Sequence, residues 1–180
     1  MKPITLEINN LEDNGFNCYL KGRSFGLEEN NQEYSPEKAV FYYKKGYYEF
    51  NNILCQYSIA ISVYLNDFED LFDDNDKSIP FPDIKDLIEL SKKDNLEAIY
   101  AKFVLAAYYN YGLKDTKKDE NKAFEIIRKC AEKGHVGAMY DLGAKEKFLK
   151  KLGNNDIDYL SIAAQNGSVR AKKLIKNRNK

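Results

Sequence analysis

The feature that most limits the fold is a small-residue signature written twice near the C-terminus. The stretches "KCAEKGHVGAMYDLG" (129–143) and "IAAQNGSVRAKKLIK" (162–176) each carry a small pair, a polar residue, one spacer, Gly, three residues and Ala. Cys130, Ala131, Glu132, Gly134 and Ala138 recur as Ala163, Ala164, Gln165, Gly167 and Ala171, an offset of 33 residues. A fixed offset of this length marks a repeated supersecondary unit, which stacks on its neighbours to bury an apolar face it cannot bury alone. Small residues let helix backbones approach closely, and glycine ends a helix with a positive φ at little steric cost. We therefore expect one joint built more than once. Ala131, Ala138, Gly143, Ala164 and Ala171 would lie at helix crossings, with Gly134 and Gly167 at helix ends.

The rest of the chain has helical periodicity. "SPEKAVFYYKKGYYE" (35–49) begins with a capping Ser35 and with Pro36 at the first helical position. "NNILCQYSIAISVYLNDF" (51–68) spaces Ile53, Leu54, Tyr57, Ile61, Tyr64 and Leu65 by threes and fours. "DIKDLIELSKK" (83–93) and "LEAIYAKFVLAAYYNYG" (96–112) form a further pair, the second ending at Gly112. "DENKAFEIIRKCAEKG" (119–134), "VGAMYDLGAKEKFLKKLG" (136–153) and "DIDYLSIAAQNG" (156–167) continue the alternation. Starts of the second helix fall near 36, 83, 120 and 156, at intervals of 47, 37 and 36 residues. Such periods predict a helical solenoid. The acidic, proline-containing "LFDDNDKSIPFPD" (71–83) reads as a loop, and "ITLEI" (4–8) as a short extended piece.

A chain of 180 residues suits one domain with a real core. Lys plus Arg and Asp plus Glu balance at 28 each, so net charge directs the chain to neither nucleic acid nor an acidic surface. The start shows no apolar leader and no run is long enough to span a bilayer, which leads to the expectation of a cytoplasmic protein without a membrane partner. Cys18, Cys55 and Cys130 are scattered and odd in number, which suits buried free thiols rather than a disulfide framework or zinc site.

Residues 104–143, "VLAAYYNYGLKDTKKDENKAFEIIRKCAEKGHVGAMYDLG", resemble the Sel-one-like repeat, a relative of the tetratricopeptide repeat. The first helix of that repeat ends in a pattern seen here as Leu105, Ala106, Tyr109 and Gly112. A loop leads to Asp119, Lys122 and Ala123, and the second helix closes on Ala131, Glu132, Gly134, His135 and Ala138, followed by Leu142 and Gly143. Residues 19–46 resemble a second unit through Tyr19, Gly22, Lys38 and Ala39, and 163–171 keep the closing pattern with Ser168 where the family favours His. The resemblance implies an all-α, right-handed α/α superhelix of about four helix–turn–helix repeats. The units would be 15–50, 51–94, 96–134 and 136–167, after a lead-in at 1–14 and before a basic capping helix at 168–180. It also implies a protein–protein interaction module, a scaffold or adaptor without catalytic activity. A narrower alternative is a cytoplasmic immunity protein that binds and neutralises a bacterial toxin or effector.

Few residues suggest chemistry. His135 is the only histidine, so neither an imidazole metal cluster nor a histidine dyad is available, and a helix turn accounts for it. The acidic run 66–78 lacks the glycine and glutamate of a calcium-binding loop and reads as a solvated loop. No phosphate-binding glycine loop, zinc-protease motif or nucleophile elbow is expected. We therefore anticipate no catalytic residues, cofactor or metal. Lys172, Lys173 and Lys176 in the basic tail offer a nucleic-acid reading, which the neutral overall charge does not favour. The tyrosines are more suggestive. Neighbours on a helix point about 100° apart, so runs such as "FYY" and "AYY" cannot be buried throughout. Tyr109 is assigned to the core, while Tyr43, Tyr47, Tyr48, Tyr108 and Tyr111 are the candidate partner contacts.

Overall fold

A computed structural model of the chain describes residues 7–145, 148, 150 and 157–178. Among these residues the regular structure is all helical, with ten α-helices and two short 3-10 turns, Ile8–Asn10 and Glu69–Leu71. The helices are α1 (Gly15–Gly26), α2 (Pro36–Tyr48), α3 (Ile53–Tyr64), α4 (Asp74–Lys77) and α5 (Ile84–Ser91). They continue as α6 (Leu96–Tyr111), α7 (Glu120–Glu132), α8 (Val136–Ala144), α9 (Tyr159–Gln165) and α10 (Val169–Arg178).

Local chemistry explains these boundaries. Asn14, Ser35, Asn52, Asp73, Asp83, Asn95, Asp119, His135 and Asp158 each accept a hydrogen bond from a backbone N–H in the first turn of the helix that follows. Ser168 does the same for α10 through the Ala171 amide. Such caps satisfy donors that a helix start leaves unpaired, typically worth about 1 kcal/mol each. Three helices end alike, at Gly112, Gly134 and Gly167, with φ of 68°, 93° and 92°. After each glycine, the next amide donates back five residues: Leu113 to Tyr108, His135 to Cys130 and Ser168 to Ala163. One joint is thus built three times.

Helices pack mainly on their neighbours in the chain, with additional contacts of α1 with α3, α3 with α6 and α8 with α10. This order is consistent with helical repeats. Within the described residues α1 packs on α2, α5 on α6, α6 on α7 and α8 on α9, so α5 joins the helix beyond the anticipated 94/96 boundary. One apolar cluster joins Cys18, Tyr19, Leu54, Ile59, Leu87 and Tyr108. A second joins Ile127, Ala131, Ala138, Met139, Leu142 and Leu160, and α6 contributes to both. The small residues singled out by the sequence sit at the joints. Ala123, Ala131, Ala138 and Ala171 have no exposed surface, and Leu105, Ala106 and Ala164 are buried. At Gly143, a Cβ would lie 2.6 Å from the Leu160 backbone nitrogen, so α8 and α9 meet at a separation only glycine permits.

Some expectations need correction. The stretch 71–83 contains α4, and although Asp73 and Asp74 are exposed, Asp76 is fully buried. The Asp76 carboxylate accepts from Lys44 Nζ at 2.6 Å and from the Tyr48 hydroxyl at 2.8 Å, while capping with Asp73. Partners on α2, far away in sequence, make that burial affordable. Tyr109, assigned to the core, is half-buried under the Lys122 ammonium, 3.9 Å from its ring centre. Most of "ITLEI" lies outside the described residues, but Ile8 belongs to a 3-10 turn and is buried. No described helix is long and apolar enough to cross a membrane.

Gly143→Ala forces the added methyl against backbone rather than a movable side chain. It should destabilise the protein by about 1–3 kcal/mol despite alanine's better helix propensity. A urea midpoint equal to or above that of the native protein would contradict this packing.

Candidate functional site

Alternate helices turn one face toward a shared cavity of about 560 Å³. Helix α6 presents Phe103, Ala107, Asn110 and Tyr111 to it, spaced by threes, fours and one adjacent step. Tyr19 and Arg23 come from α1, Tyr57 and Ile61 from α3, and Tyr140 and Asp141 from α8. Arg170 of α10 completes the series. The intervening helices contribute little, with Tyr43 of α2 and Ile127 of α7 the exceptions.

An ion pair forms the floor. Arg23 and Glu29 are both nearly inaccessible to solvent, and the contact is two-pronged: Nη2 donates to Oε1 at 2.6 Å and Nε to Oε2 at 3.2 Å. The guanidinium also lies 5.2–5.8 Å from the ring centres of Phe103, Tyr100 and Tyr19. The planar fork of arginine suits both contacts. A Cβ on Gly137 would come within 2.6 Å of both Arg23 Nη2 and Glu29 Oε1, so this glycine lets α8 rest directly on the ion pair.

Beside the ion pair lies the sole imidazole. His135 is fully buried, with its ring centre 4.3 Å from Tyr100 and 4.4 Å from Phe103. Its Nδ1 accepts from the Ala138 amide at 3.0 Å, which leaves the proton of the neutral ring on Nε2. Burial, reinforced by the Arg23 charge, holds its pKa well below the usual histidine value. His135 is a helix cap held neutral. The thiols are equally quiet: all three cysteines are free and buried, and burial pushes Cys130 up to about 12.

The tyrosine candidates separate. Tyr43 and Tyr111 both line the cavity, Tyr43 buried and Tyr111 at its exposed rim. Tyr47 and Tyr48 pack against each other, ring centres 5.1 Å apart, and Tyr48 lies beside a shallow outer groove with Phe41, Lys44 and Leu71. Tyr108 is a correction. It has no exposed surface and donates its hydroxyl to the Pro82 carbonyl at 2.7 Å, because the 80–82 loop folds over the end of α6. Sequence reasoning missed Arg23, Glu29, Tyr140 and Arg170. Arg23 and Glu29 are six residues apart across a helix end, a spacing without helical or strand periodicity.

One spelling was also passed over. Gly22-Arg23-Ser24-Phe25-Gly26 matches G-x-S-x-G. A nucleophile elbow needs a strand-to-helix turn that exposes the serine. Here the pentapeptide lies inside α1, and buried Ser24 donates to the Leu20 carbonyl while accepting from Asn30. The match is to spelling alone.

Two measurements probe this floor. Removing one member of a buried ion pair leaves the other charged and unpaired, a loss of about 3–5 kcal/mol. Glu29→Leu should lose about that much in urea unfolding, and Arg23→Met/Glu29→Leu less than the sum of the single losses. Additive losses would show the two residues to be uncoupled. For His135 the folded pKa is lowered, so the unfolded chain takes up a proton below about pH 6.5 that the folded chain refuses. Stability should fall as pH drops from about 6.5, by up to about 1.4 kcal/mol per unit, until the folded pKa is reached. His135→Asn, which can still cap, should flatten the change in urea midpoint between about pH 6.5 and 5. An unchanged slope would place the proton uptake elsewhere.

Comparison of the chain with protein-family models, curated proteins and solved structures gives no match.

Proposed function

We propose that this protein is a protein-interaction module of the helical-solenoid type, which takes a segment of a protein partner into its inner cavity. The observation that carries this reading is the concave, aromatic-rich lining, with Tyr57, Phe103, Tyr111 and Tyr140 from helices and Tyr34 and Phe68 from the connecting loops around about 560 Å³. Tyrosine combines a broad apolar face with a polar tip and is enriched at binding hot spots. Cavities of this size, mostly apolar with a few fixed polar groups, are the usual form of a binding site. The lining also carries charged groups of both signs, among them Glu29 paired with Arg23, Asp141 paired with Lys145, Asp67, and Arg170 stacked 4.4 Å from the Tyr140 ring centre. A segment of mixed polarity therefore suits it better than a purely apolar one. The sole imidazole is occupied in capping and Ser24 in helix packing, so binding accounts for the site without invoking a reaction. Localisation in the cytoplasm is part of the same proposal.

Position-specific photocrosslinking in the native host tests the reading. A crosslinking side chain at Tyr111, on the cavity rim, should capture a discrete polypeptide, whereas one at Lys129, exposed on α7, should not. The captured polypeptide would distinguish an adaptor's partner from a toxin restrained by an immunity protein. Equal capture at both positions, or none at Tyr111, would overturn the proposal, and capture at Tyr48 alone would move the interface to the outer face of α2.

A further inference from the structure

We infer that residues 28–31 form a releasable clasp that joins the two ends of the helical array and controls access to the inner cavity. A helical repeat array ordinarily makes contact only between neighbouring units. Here the loop after α1 reaches the turn between α9 and α10. The Asn31 amide donates to the Gly167 carbonyl at 2.8 Å, and the Val169 amide donates to the Glu28 carbonyl at 2.8 Å. Lys172 Nζ donates to Asn31 Oδ1 at 2.9 Å, and Lys173 pairs with the Glu28 carboxylate. These contacts bridge 141 and 145 residues of sequence.

Three features make this a fastening rather than a chance touch. The loop holds Glu28, Asn30 and Asn31 at φ of 52°, 51° and 60°; asparagine adopts this left-handed conformation readily, but Glu28 keeps it only where its surroundings impose it. Gly167 complements it: at φ 92° it leaves room for Asn30 Cα, which a Cβ would approach to 3.1 Å. Finally, the two apolar clusters are separate, one built from residues 8–113 and the other from 106–171, and both draw on α6. The clasp ties the loop after α1, on the first cluster's side, to the turn before α10, on the second's.

Release is chemically inexpensive. Arg23 and Glu29 both belong to the N-terminal side, so parting the ends leaves that ion pair intact and returns water to it. What is lost is two backbone hydrogen bonds, the contacts of two lysines whose ammonium groups reach solvent, and the packing of Gly167 against Asn30. Because Glu28 and Glu29 line the cavity from one end of the chain and Ser168 and Arg170 from the other, parting the clasp widens it. This consequence rests on the binding reading above; the clasp itself does not.

Hydrogen exchange of the free protein tests the clasp without any partner, so its failure would leave the binding proposal standing. The reporters are the Asn31 and Val169 amides. Glu28→Lys and Lys173→Glu should each speed their exchange about fivefold or more, the equivalent of about 1 kcal/mol, while the interior amides of α2 and α7 stay unchanged. The exchanged pair Glu28→Lys/Lys173→Glu should restore both amides to within about twofold of the native rate. Gly167→Ala should release the same two amides without altering any charge. Unmoved reporters in the single variants, no recovery in the charge-swapped protein, or equal acceleration throughout α1–α3 would each overturn the inference.

Discussion

The buried contact between Arg23 and Glu29 is the constraint on which the rest of the interior arrangement depends. Two charges removed from water are tolerated only when they are well paired and when surrounding groups take up the remaining valences. Arg23 meets that demand with a two-pronged carboxylate and three aromatic rings. Meeting it fixes much else. Glu29 must turn back over the end of α1, which sets the path of the loop that follows. Phe103 and Tyr100 must face the guanidinium, which orients α6, and residue 137 must be glycine for α8 to approach. His135 then lies beside a fixed positive charge and remains neutral.

Around that floor the scaffold relies on close backbone approach. Alanine or glycine at the crossings brings helices near enough that a single methyl at residue 143 would strike the α9 backbone. Close packing gains dispersion over many atom pairs but leaves little room for adjustment. The close approaches lie where the small residues are, at the helix crossings.

The polar residues fall into two classes. Asp76, His135, Ser24 and Ser58 are used inside the fold, each with a specific hydrogen-bond partner. Tyr111 and Arg170 line the cavity instead, Arg170 stacked on the Tyr140 ring. A reading by residue type alone mixes these classes, which is how Tyr108 came to be grouped with Tyr111 although the two sit three residues apart on α6 with opposite exposures.

The sequence by itself determined most of the helices, the Ser35 cap, the glycine endings and the small residues at the joints, but not α4, which it read as a loop. Those features arise from contacts a few residues apart, so periodicity and residue type are enough to read them. It also determined that some member of "AYYNY" would be accessible, but not that this would be Tyr111 rather than Tyr108. Only the tertiary structure decided which tyrosines share a cavity, that Asp76 would be buried beneath α2, and that Arg23 would find Glu29. It alone brought residues 28–31 onto 167–173. These outcomes depend on the cumulative angle between successive helix pairs, a sum of many small packing preferences that no local pattern encodes.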